Sequence, residues 1–182
     1  VKEHHGLTYY YVNPSTFGPK IKDYMYVEVL PKKPDFVFIV ETRLHGLDSK
    51  MARRWWQRRG YSIKPSAAQL GAGKGRKGGV LIAWRTHLQV DTLSDMKHTP
   101  VNNPLDGLGH DWAVVRLRVG KAFMLLGTIY LTSGEGFKGP NANKLLQVTQ
   151  CFSYYDGYHH LVGDLNEAVS YTHLRAHETL RY

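Results

Sequence analysis

Three features of this 182-residue sequence predict a mixed α/β or α+β fold. Strand-sized apolar runs alternate irregularly with helix-like segments. The run Phe36 to Val40 is five apolar residues between a turn and a charged end, the pattern of a strand buried on both faces. Two β-prone stretches flank Gly120-Lys121, which reads as a hairpin and argues against a purely parallel sheet.

The elements follow in chain order. Leu7 to Val12 is β-prone and ends at Asn13-Pro14. Ile21 to Leu30 carries Ile21, Tyr24, Met25 and Val29 at helical spacing, and Pro31 and Pro34 stop it. Asp35 to Glu41 is the buried strand. Ser49 is the expected N-cap of a helix to about Arg59, with Gly60 ending it. Leu70 to Gly79 is a Gly/Lys loop, and Val80 to Trp84 a further apolar strand. Thr92 to Gly109 is turn-rich. Trp112 to Val119 and Ala122 to Tyr130 form the hairpin, and Leu131 to Pro140 is a loop. Asn143 to Tyr155 reads as a helix carrying Leu145, Leu146, Val148 and Phe152, and His159 to Val162 as a short strand running into Gly163-Asp164-Leu165-Asn166.

Composition bounds the function. The chain is 42% hydrophobic, enough for a core, which excludes general disorder. No apolar run approaches the ~18–20 residues needed to span a bilayer, so no membrane partner is expected. The opening Val-Lys-Glu-His-His lacks the apolar stretch of a signal peptide, and Cys151 is alone, which points to an intracellular, reducing setting, nuclear or cytoplasmic. The chain does not begin with Met, so its true N-terminus is expected upstream. Net charge is +9. Arg43 to Arg85 holds eleven basic residues against the single acid Asp48, more than the excess of the whole chain. Such a concentration suits a polyanion such as nucleic acid; the ordinary alternative is a solvated basic face.

Some motifs are decoys. Gly73-Lys74-Gly75-Arg76-Lys77-Gly78 matches the dinucleotide pattern but precedes a strand instead of opening a helix, so it reads as a cationic loop. His4-His5 and His159-His160 are adjacent, and in a strand adjacent rings point to opposite faces, which suits no shared metal. Trp55-Trp56 in an Arg-rich helix has two readings, base stacking or one ring inward and one shielded by Arg stems.

Two acidic positions sit at the ends of apolar strands: Glu41, in Pro34-Asp35 to Glu41-Thr42, and Asp164, in Gly163-Asp164-Leu165-Asn166. Taken alone, either is an ordinary turn in which Asp or Asn bonds its own backbone. Together with Gly78-Gly79-Val80, the strand ending Gly127-Thr128-Ile129-Tyr130, and Tyr11-Val12-Asn13, they resemble the endonuclease/exonuclease/phosphatase superfamily over roughly residues 7–168. This group includes apurinic endonucleases and non-LTR retrotransposon endonucleases. The resemblance implies an α/β/β/α four-layer sandwich and a Mg²⁺- or Mn²⁺-dependent phosphodiester hydrolase acting on nucleic acid, DNA first. It implies that Glu41 binds the metal and Asn13 orients metal or phosphate. Tyr130 would bond a phosphate oxygen, Asp164 orient or deprotonate water, and Asn166 hold phosphate or water. The basic residues Arg53, Arg54, Arg58, Arg59, Lys74, Arg76 and Lys77 would grip the flanking backbone.

The pattern departs from the family after Asn166. Members continue into strands bearing a further Asp and a Ser-Asp-His ending, whereas 16 residues follow here, and nothing around His173 or His177 resembles that ending. Ser170 to Thr179 resembles a translated sequencing adapter, so residues 1–168 read as an N-terminal portion of such a domain and 169–182 as a non-native tail; a short amphiphilic helix is the alternative. The sandwich is then incomplete and the expected catalyst weak or inactive. A phosphatase of small substrates and a non-catalytic nucleic-acid-binding module stay open beside the nuclease.

Overall fold

The computed structural model describes residues 6–71, 75–93 and 104–166. Its strands are β1 (Tyr9–Val12), β2 (Phe36–Val40), β3 (Tyr61–Ser66), β4 (Gln69–Leu70), β5 (Arg76–Lys77), β6 (Val80–Arg85), β7 (Val90–Asp91), β8 (Leu108–Gly109), β9 (Trp112–Val119), β10 (Ala122–Tyr130) and β11 (Tyr158–Asp164). The helices are α1 (Pro19–Tyr24), α2 (Leu47–Gln57) and α3 (Gly139–Tyr154). The first sheet has the order β1-β2-β6-β3; the second has β11-β10-β9-β7, with β8 also on β9.

Strand alternation divides the apolar residues into three cores. Phe36, Phe38 and Val40 of β2 and Val80, Ile82 and Trp84 of β6 face Ala113, Val115, Leu117 and Leu126 of the second sheet. The alternate residues Val37, Ile39, Leu81 and Ala83 face Phe17, Met25, Val29 and Trp56 of the helical segments. On the far side, Trp112, Val114, Leu125 and Ile129 pack against Val148 and Cys151 of α3. Three cores imply four layers, helix-sheet-sheet-helix. Both sheets are covered on both faces, which is why β2 and β6 read as unbroken apolar runs.

The first expected helix begins at Pro19 and continues past Tyr24 as a π-helical turn, Met25–Val29, with Met25 and Val29 fully buried. The helix expected from Ser49 starts at Leu47 behind Gly46, and that expected from Asn143 starts at Gly139, with Pro140 in its first turn. The loop from Leu70 to Gly79 contains half of a small hairpin, β4 paired with β5.

The strand β3 is absent from the sequence reading. Lys64 and Pro65 interrupt its apolar pattern. Pro65 is tolerated because β3 ends the order of its sheet, with β6 on one side. Lys64 is 6% exposed and donates to the carbonyl oxygens of Asp106 (2.7 Å), Val114 (3.2 Å) and Thr92. Lys74 and the segment 169–182 lie outside the described residues.

Candidate active site

Four strands deliver their C-terminal ends to one rim. In the first sheet, β1 and β2 run parallel with Val12 beside Ile39, so Asn13 and Glu41 emerge side by side. In the second, β10 and β11 run parallel with Tyr130 beside Asp164. The rim is closed by two hydrogen bonds that each cross between sheets. The Tyr130 hydroxyl donates to Glu41 Oε1 (2.5 Å), and Asn13 Nδ2 donates to Asp164 Oδ2 (2.6 Å). Asn166 completes the group. Its N–H donates to Asp164 Oδ1 (3.0 Å) in an Asx turn, and its Nδ2 donates to the Leu131 carbonyl (2.6 Å).

Close packing makes this geometry possible. A Cβ at Gly163 would lie 2.2 Å from the Ile129 carbonyl oxygen, so only glycine lets β11 reach the rim beside β10. Glu41 and Arg43 hold φ of 51° and 52°, a left-handed conformation that is costly for long side chains. The Thr42 and Arg43 amides donate to the carbonyls of Gly79 (3.0 Å) and Gly78 (2.9 Å), which fixes this bend.

The rim is electronegative. Burial, with the charges of Asp164 and Glu41, holds the Tyr11 phenol well above its ordinary range. Burial and the bond to Glu41 do the same for Tyr130, with smaller contributions from Asp164 and Asp111. Both phenols therefore stay protonated donors at any physiological pH. Among the described residues no three His, Cys, Asp or Glu side chains gather as a metal cage. Mg²⁺ needs no such cage, since one or two carboxylates and retained waters suffice. Two carboxylates that both raise the neighbouring phenols, with oxygen donors throughout, fit such a hard cation.

Around the rim are two depressions. A cavity of about 460 Å³ is lined by Glu41, Arg43, Lys77, Tyr130, Ser133 and Glu135, among others. A groove of about 600 Å³ runs from Thr42 and Arg43 past Phe17, Lys22, Met51 and Arg76.

The basic residues separate by position. Arg76, ion-paired to Asp48, and Lys77 border these depressions. Tyr61 pairs with Arg85 and Ser66 with Val80, so the chain enters β3 at the end opposite Glu41. Arg58 and Arg59, just before β3, therefore lie roughly 17–20 Å from the rim at strand rise. Arg59 donates to the Trp55 carbonyl (2.8 Å) and lies 4.0 Å over the Trp55 ring, while Trp56 is fully buried. That is the second of the two tryptophan readings. Arg53 donates to the Ile63 carbonyl (3.2 Å), and Arg54 is exposed on α2.

Sequence reasoning missed Asp111, Asn141 and Lys144, which lie directly under the rim. Asn141 is buried and ties Thr132 and Gly136 of the preceding loop to α3. A signal existed for Lys144: with Val148 and Cys151 it shares one helical face, so a lysine stands on an apolar stripe. Asp111 sits in a turn and carried none.

No family model matches the sequence, and no curated protein matches it. Solved structures do match in fold. The endonuclease domain of TRAS1, a telomere-specific non-LTR retrotransposon, is 14% identical, over 90% of this chain and 60% of that one, with TM-score 0.58. The human Nocturnin catalytic domain with bound sulfate is 14% identical, over 90% of this chain and 65% of that one, with TM-score 0.55. An endonuclease/exonuclease/phosphatase family protein from Leptotrichia buccalis is 13% identical, over 88% and 67%, with TM-score 0.56. The chain thus has the nuclease-phosphatase fold, and it spans less than two thirds of the length of the first two structures.

Proposed function

We propose that the chain is part of a divalent-metal-dependent phosphodiesterase that acts on nucleic acid, DNA in the first instance. The observation that carries this reading is the pair of cross-sheet hydrogen bonds, Tyr130 to Glu41 and Asn13 to Asp164, which gathers two carboxylates and a phenol at one rim. A phosphodiester is anionic and repels hydroxide. Glu41, with the Asn13 or Asp164 oxygens, would hold Mg²⁺ or Mn²⁺, which when bound would supply positive charge against the scissile phosphate. Asp164, oriented by Asn13 and by the Asn166 amide, takes the proton of the attacking water. Water oxygen bonds to phosphorus, the ester P–O bond breaks, and the leaving oxygen is protonated from solvent. Tyr130 stays protonated and turns its O–H from Glu41 to a phosphate oxygen, and Asn166 steadies the phosphate or the water. Arg43, Arg76 and Lys77, with Lys22 in the same groove, line the depressions and are placed for the flanking backbone.

The test is nicking of supercoiled plasmid in Mg²⁺ by the chain, its Asp164→Ala variant and its Glu41→Ala variant. Metal-dependent nicking lost in both variants supports the proposal. Weak or absent nicking is what an incomplete sandwich predicts, so the metal decides: plasmid retention that weakens with salt and responds neither to Mg²⁺ nor to either variant sinks the proposal in favour of a binding module. Phosphate release from small phosphate esters that excess duplex DNA does not suppress would instead favour a small-substrate phosphatase.

A further inference from the structure

Beneath the rim lies a buried ion pair that the proposed chemistry does not employ. Lys144 Nζ and Asp111 Oδ2 are 2.8 Å apart, with side chains 6% and 4% exposed. Both oxygens of Asp111 and the ammonium of Lys144 have partners. Asp111 Oδ1 accepts the Gly79 amide (2.6 Å). Lys144 also approaches the Tyr130 carbonyl (3.4 Å) and Thr132 Oγ1 (3.3 Å). Three acceptors account for its three protons, so it has none to offer a phosphate.

The contacts of this pair lead to both halves of the rim. On one side, Asp111 holds Gly79, and the Gly78 and Gly79 carbonyls hold the Thr42 and Arg43 amides directly after Glu41. On the other, the Asp111 carbonyl accepts the Tyr130 amide (2.8 Å), while Lys144 reaches the Tyr130 carbonyl. Gly78 and Gly79 admit this bracket. Their φ values are 68° and 79°, and a Cβ at Gly78 would lie 2.0 Å from Asp111 Oδ1. The Gly-Gly pair is therefore the slot through which a carboxylate of one sheet grips the backbone of the other.

We propose that Asp111 and Lys144 are positioning residues that set the separation between Glu41 on the first sheet and Tyr130 on the second. This rests on the functional reading only in calling that rim the site. An apolar pair could hold two sheets together with less desolvation cost. A charged pair bonded to both loops adds a fixed register between them, which apolar contact does not supply.

The test uses ¹³C-labelled tyrosine in the intact chain, with the Tyr130 phenolic carbon assigned by Tyr130→Phe. Lys144→Met leaves Asp111 an unpaired buried charge; the double variant Asp111→Ala/Lys144→Met removes both charges. We expect the double variant to regain part of the Tm lost by Lys144→Met while the Tyr130 line stays displaced from its wild-type position in both. Met25→Ala, in the apolar layer behind the first sheet, should lower Tm and leave the Tyr130 line in place. A Tyr130 line at its wild-type position in the double variant, displaced no further than in Asp111→Asn (which loses the charge but keeps an acceptor for the Gly79 amide), or equally displaced by Met25→Ala, overturns the proposal. Should the variants not fold, amide exchange in the wild type decides: Gly79, Thr42, Arg43 and Tyr130 should share one opening rate, and rates scattered over orders of magnitude overturn it. A parallel Mg²⁺ titration separates the two readings. If no variant and no wild type responds to Mg²⁺, the functional reading fails while the Tyr130 result stands by itself.

Discussion

In each sheet an outer strand lies parallel to its neighbour, β1 on β2 and β11 on β10, and antiparallel pairings follow, two in the first sheet and three in the second, where β8 also pairs with β9. Each parallel pair gives two residues to the rim, Asn13 and Glu41 from the first sheet, Tyr130 and Asp164 from the second. The surroundings differ. Behind the first sheet the packing is apolar and rich in aromatic rings, with Phe17 stacked on Trp56 at 6.0 Å. Around the second, Lys144, Asn141 and Asp111 are buried, and Lys64 crosses from β3 to the Val114 carbonyl of β9. Cohesion and alignment thus fall to different chemistry. Non-directional apolar burial keeps the layers together, and directional buried bonds fix where the rim residues stand.

Truncating the apolar interior should give the largest loss. Phe38 is 1% exposed between the sheets, against Phe36 and edge-on to Tyr9. Phe38→Ala is expected to lower unfolding free energy by about 3–5 kcal/mol in urea titration. A loss below about 1 kcal/mol would mean that the inter-sheet core does not carry cohesion. At the rim the expectation reverses. Tyr130→Phe removes one hydrogen bond to a carboxylate and should cost about 1–2 kcal/mol, yet release Glu41, visible as a shift of its carboxyl resonance. A larger stability loss than Phe38→Ala would erase the distinction between the two tasks.

The same distinction explains what the sequence disclosed. Strands β2 and β6 are legible because each faces apolar neighbours on both sides, and the hairpin of β9 and β10 because Gly120-Lys121 marks its turn. Strand β3 is not, because Lys64 satisfies three carbonyls from other parts of the chain and nothing local announces them. Glu41, Asp164 and Asn166 were read from strand ends and Asn13 and Tyr130 from the family resemblance, and the parallel registers bring all five to one rim. Their chemical roles remain proposals tested by the nicking assay. Asp111 was hidden for the reason that hid β3: its partners, Gly79 and Lys144, are 32 and 33 residues away. The basic segment shows how chain order differs from position in space. Counting charge along the chain joins Arg58 and Arg59 to Arg76 and Lys77, although the β3–β6 register separates them by the length of the sheet.

The smallest expected effect tests the buried polar side through pH. Burial lowers Lys64 from its ordinary 10.5 to about 8, partly offset by Asp106 and other nearby groups. Above pH 8 the folded chain has released this proton and the unfolded chain still holds it, so stability should rise with pH, by at most about 1.4 kcal/mol per unit. Cys151 works in the opposite direction. Burial lifts its thiol from 9.0 to about 11, so above pH 9 the unfolded chain loses a proton that the folded chain keeps, and stability should fall. From pH 9 the fall due to Cys151 opposes the rise due to Lys64, two groups that act on each other, until the tyrosines titrate in the unfolded chain near 10. Urea midpoints should therefore climb between pH 8 and 9 and then level. In Lys64→Met the climb should vanish; in Cys151→Ala it should continue toward pH 10. A climb that persists in Lys64→Met would assign it to another group and leave Lys64 charged among its three carbonyls.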